Sequence, residues 1–236
     1  MQGLMMDRPL LVSTLLQHAE ATYPNTEIVS RRCEGDIHRY TMKDAASRAR
    51  KVANLLTRLD IQDSDRVATL AWNNYRHFEL YYGISGFGAV LHTINPRLFA
   101  EQLVYIINHA EDRYIFVDLT FVPLLEAILP HIGNVEGFII LCDEDKMPET
   151  KLPNALCYET LLAAESDEFE WPEFPETKGA SMCYTSGTTG NPKGVLYSHR
   201  STCLHAFASV GEEVMGLSSS SCFLPVVPMF HVNAWG

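Results

Sequence analysis

Residues 66–93 read RVATLAWNNYRHFELYYGISGFGAVLHT, and the reading of this stretch decides the fold. Residues 66–72 are a largely apolar run that does not alternate with polar side chains, the pattern of a strand covered on both faces. Residues 77–87 read as a helix, and residues 89–93 as a second apolar strand. Two such strands joined through a helix run parallel, because antiparallel neighbours need only a tight turn.

The unit repeats outward in both directions. Toward the C-terminus, a helix is expected over 100–110, a strand over 114–117, a helix over 121–129 and a strand over 138–141. Toward the N-terminus, Ala45, Ala46, Ala49, Val52, Ala53, Leu56 and Leu59 form an apolar stripe of helical period. Thr41 is a good N-cap for that helix, and Asp44 completes a variant capping box. Before it, residues 27–32 and 37–40 read as a hairpin around Glu34-Gly35-Asp36, and residues 11–21 as an amphipathic helix stopped by Pro24. The expected class is α/β, with doubly wound, largely parallel sheets. Residues 143–175 break the pattern. With Pro148, Pro153, Pro172, Pro175 and many acidic side chains, they read as a surface connection holding one short helix, 158–164. That connection is the expected boundary between a first α/β subdomain, 1–175, and the start of a second, 176–236.

The net charge of −11 argues against a nucleic-acid surface, which depends on clustered Lys and Arg. It leaves room for a small anion, because a few backbone N–H groups and one lysine hold a phosphate locally. The six cysteines, Cys33, Cys142, Cys157, Cys183, Cys203 and Cys222, include no CxxC pair. Four of them sit in apolar runs, so they are expected as reduced, buried thiols rather than disulfides or zinc ligands. The first residues have no basic segment followed by an apolar core, and no apolar run approaches the ~20 residues of a membrane span. The expected location is the cytoplasm.

Beyond the connection, a short β run, 181–184, leads into Thr185-Ser186-Gly187-Thr188-Thr189-Gly190-Asn191-Pro192-Lys193-Gly194, and a second β run leaves it. The loop offers hydroxyls, a backbone with few Cβ atoms, and one cation, which suits close approach to phosphate oxygens. It is not a Walker A loop, because Pro192 precedes Lys193 and Gly194 follows it, so neither the Gly-Lys step nor the Ser/Thr after it is present. Read by its residues alone, it is equally a flexible hairpin tip whose Ser, Thr and Gly only cap turns, with Lys193 a solvated surface lysine.

The string from Tyr184 to Gly194 resembles the signature phosphate loop of the adenylate-forming superfamily, which comprises acyl-CoA synthetases, luciferases and peptide-synthetase adenylation domains. Residues 224–235, LPVVPMFHVNAW, are similar to the next core motif of that family, the strand-and-helix start beside the acid-binding pocket. The stretches His92-Thr93-Ile94-Asn95-Pro96-Arg97-Leu98 and Tyr105-Ile106-Ile107-Asn108-His109-Ala110-Glu111-Asp112 resemble the N-terminal region of bacterial medium- and long-chain fatty acid–CoA ligases.

The resemblance implies an N-terminal piece of an AMP-forming fatty acid–CoA ligase. In such enzymes a carboxylate attacks the α-phosphate of ATP, pyrophosphate leaves, and coenzyme A opens the acyl-adenylate. By the same resemblance Thr185 contacts Mg2+, and Ser186, Gly187, Thr188, Thr189, Gly190 and Lys193 cradle the outer phosphates. His231 stands where the α-phosphate meets the acyl carboxylate; it positions and polarises, since a carboxylate nucleophile needs no deprotonation. Val232 lies beside the nucleotide, and Trp235 matches an aromatic gate across the acyl tunnel, a place a core tryptophan also fills. His92, His109, His199 and His205 have no metal-like spacing and read as structural. The family's Tyr-Gly-x-Thr-Glu segment, ribose-binding Asp, hinge and C-terminal Lys are not in the 236 residues. The chain alone is thus expected to bind ATP no better than about millimolar, roughly −4 kcal/mol, and not to turn over. A homodimer is implied through relatives of the long-chain type. Aryl-CoA ligase, amino-acid adenylation and a non-catalytic relative are the alternative functions.

Overall fold

The computed structural model describes residue 1, residues 3–185 and residues 191–233. A seven-stranded sheet organises them, in the order β7-β6-β5-β3-β4-β8-β9. Its strands are β3 (Arg66–Leu70), β4 (Val90–Thr93), β5 (Asp112–Asp118), β6 (Gly137–Leu141), β7 (Ala155–Cys157), β8 (Gly179–Thr185) and β9 (Lys193–Ser198). All neighbours are parallel except β8 and β9, which form an antiparallel pair. The opening stretch is the βαβ unit that its pattern implied. Val67 pairs with Leu91 in β4 on one side and with Tyr114 in β5 on the other.

Helices cover both faces, which is why the strands do not alternate in polarity. One face receives α4 (Ala100–Ala110) and α5 (Val122–Ile128), whose Leu103, Ile106, Ile107, Leu125 and Ile128 pack on Ala68, Ile115, Val117 and Ile140. The other receives α2 (Met42–Arg58), α3 (Tyr75–Phe87) and α6 (Tyr158–Ala163), which bring Val52, Leu56, Leu80, Ile84 and Tyr158 onto Val67, Leu91, Phe116 and Ile139. The helix α1 (Val12–Thr22) adds Leu16 against Ala46 and Ala49, while β1 (Glu27–Arg31) and β2 (Ile37–Thr41) pair separately as the expected hairpin.

Local signals account for the element ends. The Thr41 hydroxyl accepts from Asp44 N at 3.3 Å and the Asp44 carboxylate accepts from Thr41 N at 2.9 Å, the reciprocal capping box read from the sequence. Gly88 ends α3 in the left-handed region at φ +104°, which a side chain would strain. Gly83 has no Cβ for a different reason: one built there would lie 2.5 Å from Val52, so α2 and α3 pack through a bare backbone.

Three elements depart from expectation. The surface connection contains β7, which extends the sheet edge beside β6. A seventh helix, α7 (His199–Ser209), follows β9. Residues 217–231 contain neither strand nor helix where the 224–235 motif implied the start of both. At the anticipated division near residue 176 the chain enters β8, which joins the same sheet in parallel with β4.

A buried ionic cluster ties the hairpin to the body. Arg76, with 2% of its side chain exposed, pairs with Glu34 at 2.7 Å, Asp143 at 2.7 Å and Glu159 at 2.8 Å. Arg48 joins it through Glu79 at 2.6 Å and Glu159 at 3.0 Å. Among the described residues all six cysteines are free; Cys142, Cys183 and Cys203 are buried, Cys33 and Cys157 half-buried, and Cys222 exposed. No helix of the described residues is long and apolar enough to cross a membrane.

Candidate functional site

The β8–β9 hairpin presents the phosphate-loop candidates. Thr185 closes β8 and Lys193 opens β9, and the two stand directly opposite in the ladder. Thr185 Oγ1 lies 3.5 Å from the Lys193 carbonyl, at the outer limit of a hydrogen bond, so among the described residues its oxygen is only weakly engaged. Both residues are exposed, and among the described residues Lys193 has no ion pair, in a chain where carboxylates outnumber cations. Ser186, Gly187, Thr188, Thr189 and Gly190 lie outside the described residues, as does Trp235.

The strand that carries Thr185 is held from behind by residues read as structural. The hydroxyl of Tyr184 meets His109 Nδ1 at 2.7 Å, and its ring rests 5.2 Å from that of His92. His92 Nδ1 is 2.8 Å from the carboxylate of Asp112, with both side chains fully buried. Burial pushes the Tyr184 phenol up to about 12, so it stays a neutral hydroxyl at physiological pH. His199 accepts from Val12 N at 3.1 Å and thereby caps α1, whose own N-cap, Leu11, makes no side-chain bond. Burial lowers His199 to about 4, which keeps the accepting nitrogen unprotonated.

The second motif arrives at the same end of the sheet. Phe230 and Met229 are buried, and His231 follows them into solvent. Asn233, also buried, anchors what comes next: its Oδ1 accepts from Thr93 Oγ1 at 2.9 Å and from the Tyr81 hydroxyl at 3.2 Å, and its Nδ2 donates to Ser181 Oγ at 3.1 Å. The Tyr81 hydroxyl also meets the Met229 carbonyl. The backbone N–H of Val232 donates to the thiol of Cys183, whose pKa burial raises. Since Thr93 ends β4 and Cys183 lies two residues before Thr185, His231 and Val232 come to the strand ends that carry the hairpin loop. Val232 and Asn233 both have positive φ, +58° and +48°. For a β-branched residue this region costs of order 1–3 kcal/mol, a strain that the Asn233 bonds oppose.

A cavity of about 600 Å3 opens beside this segment, between α1, α3, α7 and β8. Val12, Leu15, Tyr82, Tyr197 and Val232 give it a mainly apolar wall, with Ser181, His205 and Asn233 among its polar groups. Tyr81 and Thr93 were not singled out as site residues. No local pattern marks them, because their partners lie about 140 residues or more away in sequence. Among the described residues no group of three or more His, Cys, Asp or Glu is arranged to hold a metal ion.

Comparison with known proteins places this architecture. The model of the family "AMP-binding enzyme" matches residues 16–236. Over all 236 residues the chain is 51% identical to a 3-methylmercaptopropionyl-CoA ligase of Ruegeria lacuscaerulensis and 46% identical to a medium-chain-fatty-acid–CoA ligase of Ectopseudomonas oleovorans. It spans 44% and 43% of those two proteins. The inhibitor-bound N-terminal domain of FACL13 from Mycobacterium tuberculosis superposes with a TM-score of 0.77 at 26% identity, covering 95% of this chain and 53% of that one. The chain belongs to the AMP-binding enzyme family, and its sheet is that of the N-terminal domain of adenylate-forming ligases.

Proposed function

We propose that the full-length protein activates an aliphatic carboxylic acid with ATP, forming an acyl-adenylate and pyrophosphate, and passes the acyl group to coenzyme A with release of AMP. The observation that carries this reading is the convergence of an exposed lysine, Lys193, and a hydroxyl, Thr185, neither strongly engaged among the described residues, with the exposed His231 at one end of the sheet beside an apolar cavity. The activities for which those relatives are named, on a methylthio-substituted propionate and on medium-chain acids, agree with an aliphatic tail in that cavity.

Lys193 supplies charge to the outer phosphates, and Ser186, Gly187, Thr188, Thr189 and Gly190 supply hydroxyl and backbone donors around them. The Thr185 hydroxyl is a hard oxygen donor suited to Mg2+, and would hold the ion together with phosphate oxygens. A Mg2+ ion held there would supply positive charge to the pyrophosphate as it leaves. His231 orients the acid carboxylate at the α-phosphate, Val232 flanks the nucleotide, and Trp235 gates the tail. Residues 176–236 carry all of these contacts and are read as the opening of a second subdomain. Six free thiols agree with a cytoplasmic protein, and the family resemblance with a homodimer.

The test is pyrophosphate release by the full gene product with ATP, Mg2+ and acids of graded length, including a methylthio-substituted propionate. Acid-dependent release, with AMP on addition of coenzyme A, is expected. Lys193→Ala is expected to lower it ~100-fold with an unchanged melting temperature, as for loss of one strong transition-state donor. Release only with aryl or amino acids would move the substrate class, and silence with every acid would sink the reading.

A further inference from the structure

We propose that Asn73 is a positioning residue for His231: its side-chain amide clamps residues 225–229 into the crevice at the carboxyl ends of β3 and β5. What His231 does once placed rests on the function proposed above; the clamp itself does not.

The sheet changes direction of winding at β3, which has β4 on one side and β5 on the other. In open α/β sheets the crevice at such a switch point, beyond the carboxyl ends of the strands, is where ligands bind. Here the chain's own segment occupies it. Asn73 Nδ2 donates to the carbonyls of Pro225 at 3.0 Å and Val227 at 2.9 Å, and its Oδ1 accepts from Met229 N at 2.7 Å. All three bonds go to main-chain atoms, so they fix the path of the backbone whatever side chains it carries. Two residues after Met229, His231 enters solvent.

Asn73 is itself fixed. The buried carboxylate of Asp118, at the end of β5, accepts from Trp72 N at 2.7 Å and from Asn74 Nδ2 at 3.1 Å. Asn74 Oδ1 caps the first turn of α3 through His77 N at 3.0 Å. The Trp72 ring rests 4.8 Å from Phe121 and 6.2 Å from Phe230. Apolar burial holds the clamped stretch at one end alone, through Met229 at 4% exposure; Val226 and Val227 are 83% and 47% exposed, and residues 217–231 form no helix or strand. Over 225–227, ahead of that buried end, the hydrogen bonds to Asn73 define its course.

The experiment compares the full gene product with its Asn73→Ala and Asn73→Asp variants, and with Asn108→Ala as a surface control. Adenylate formation and amide hydrogen exchange over 225–231 are measured. The aspartate has the shape of asparagine but presents no donor to the two carbonyls. Both Asn73 variants are therefore expected to lose kcat for adenylation by about 100-fold, the cost of a misplacement near 1 Å. The KM for coenzyme A should stay within twofold, and the Met229 amide should exchange faster. Wild-type exchange and kcat in both variants would overturn the proposal, and so would full rescue by aspartate. Should the wild type form no adenylate with any acid, the proposed function falls, and the exchange of Met229 alone decides the clamp.

Discussion

On the side of β5 and β6, helices cover both faces, and Phe116, Ile139, Ile140 and Leu141 have no exposure at all. On the side of β9, the same chain leaves Leu196, Phe207 and Val214 at 60%, 56% and 68% exposure. The helix α7 buries only His199 and Cys203, whereas α2 buries seven residues along one stripe. The closed side gains stability from apolar burial within the described residues, and the open side holds every residue proposed to meet ATP. A site of this kind sits where local stability is low and the scaffold beside it is rigid.

Substitutions on either side should separate the two roles. The largest effect is expected at Arg76, where Arg76→Ala leaves the buried Glu34 without its arginine beside a hole and takes one partner each from Asp143 and Glu159, which keep Arg32 and Arg48. Breaking a buried cluster by removing one partner costs about 3–5 kcal/mol, so urea unfolding should show a free energy of unfolding lower by that amount. A change below 1 kcal/mol would show the cluster to be solvated.

Next comes Asp118, at the junction of the two sides. Burial pushes its carboxyl up to about 6, above the ~3.9 of an unfolded chain. A raised folded-state pKa contributes stability that is complete below about pH 4 and is lost as pH rises through about 6. Relative to Asp118→Asn, the wild type should therefore lose about 3 kcal/mol between about pH 4 and pH 7. Parallel stability curves for the two proteins would contradict this. The smallest effect belongs to the open side: Phe207→Ser should change stability by no more than about 0.5 kcal/mol, because the ring is already in water. A drop of 2 kcal/mol on thermal unfolding would mean that the face is covered.

The same contrast decides what the sequence alone could disclose. The helix α2 was legible because its signals are local, a capping box and a stripe with period 3.6. β7 was missed because three residues in a proline-rich acidic stretch carry too short a pattern, and their strand character comes from pairing with β6. α7 has no apolar stripe to read. At the site, the Thr185–Lys193 hairpin follows from two β runs around a glycine-rich loop. The socket formed by Asn73, Tyr81 and Thr93 does not, because each bond crosses about 140 residues or more and depends on the finished sheet. Over the described part of the 224–235 motif, the implied strand gives way to a path on which those side chains bond residues 225–233.

The pairing of β8 with β4 has a consequence for the order of assembly. Leu91 meets Ser181, so the strand bearing Thr185 joins its neighbour only after the chain has grown from residue 91 to residue 181. At about 5–20 residues per second on a ribosome, the nascent sheet waits roughly 5–18 s with β4 unpaired on that edge. Closing so long a loop is slow, and an open apolar edge invites association with other chains meanwhile. The β8–β9 hairpin is therefore the last part of this sheet to form, and a chain stalled before it would present the bare edge of β4.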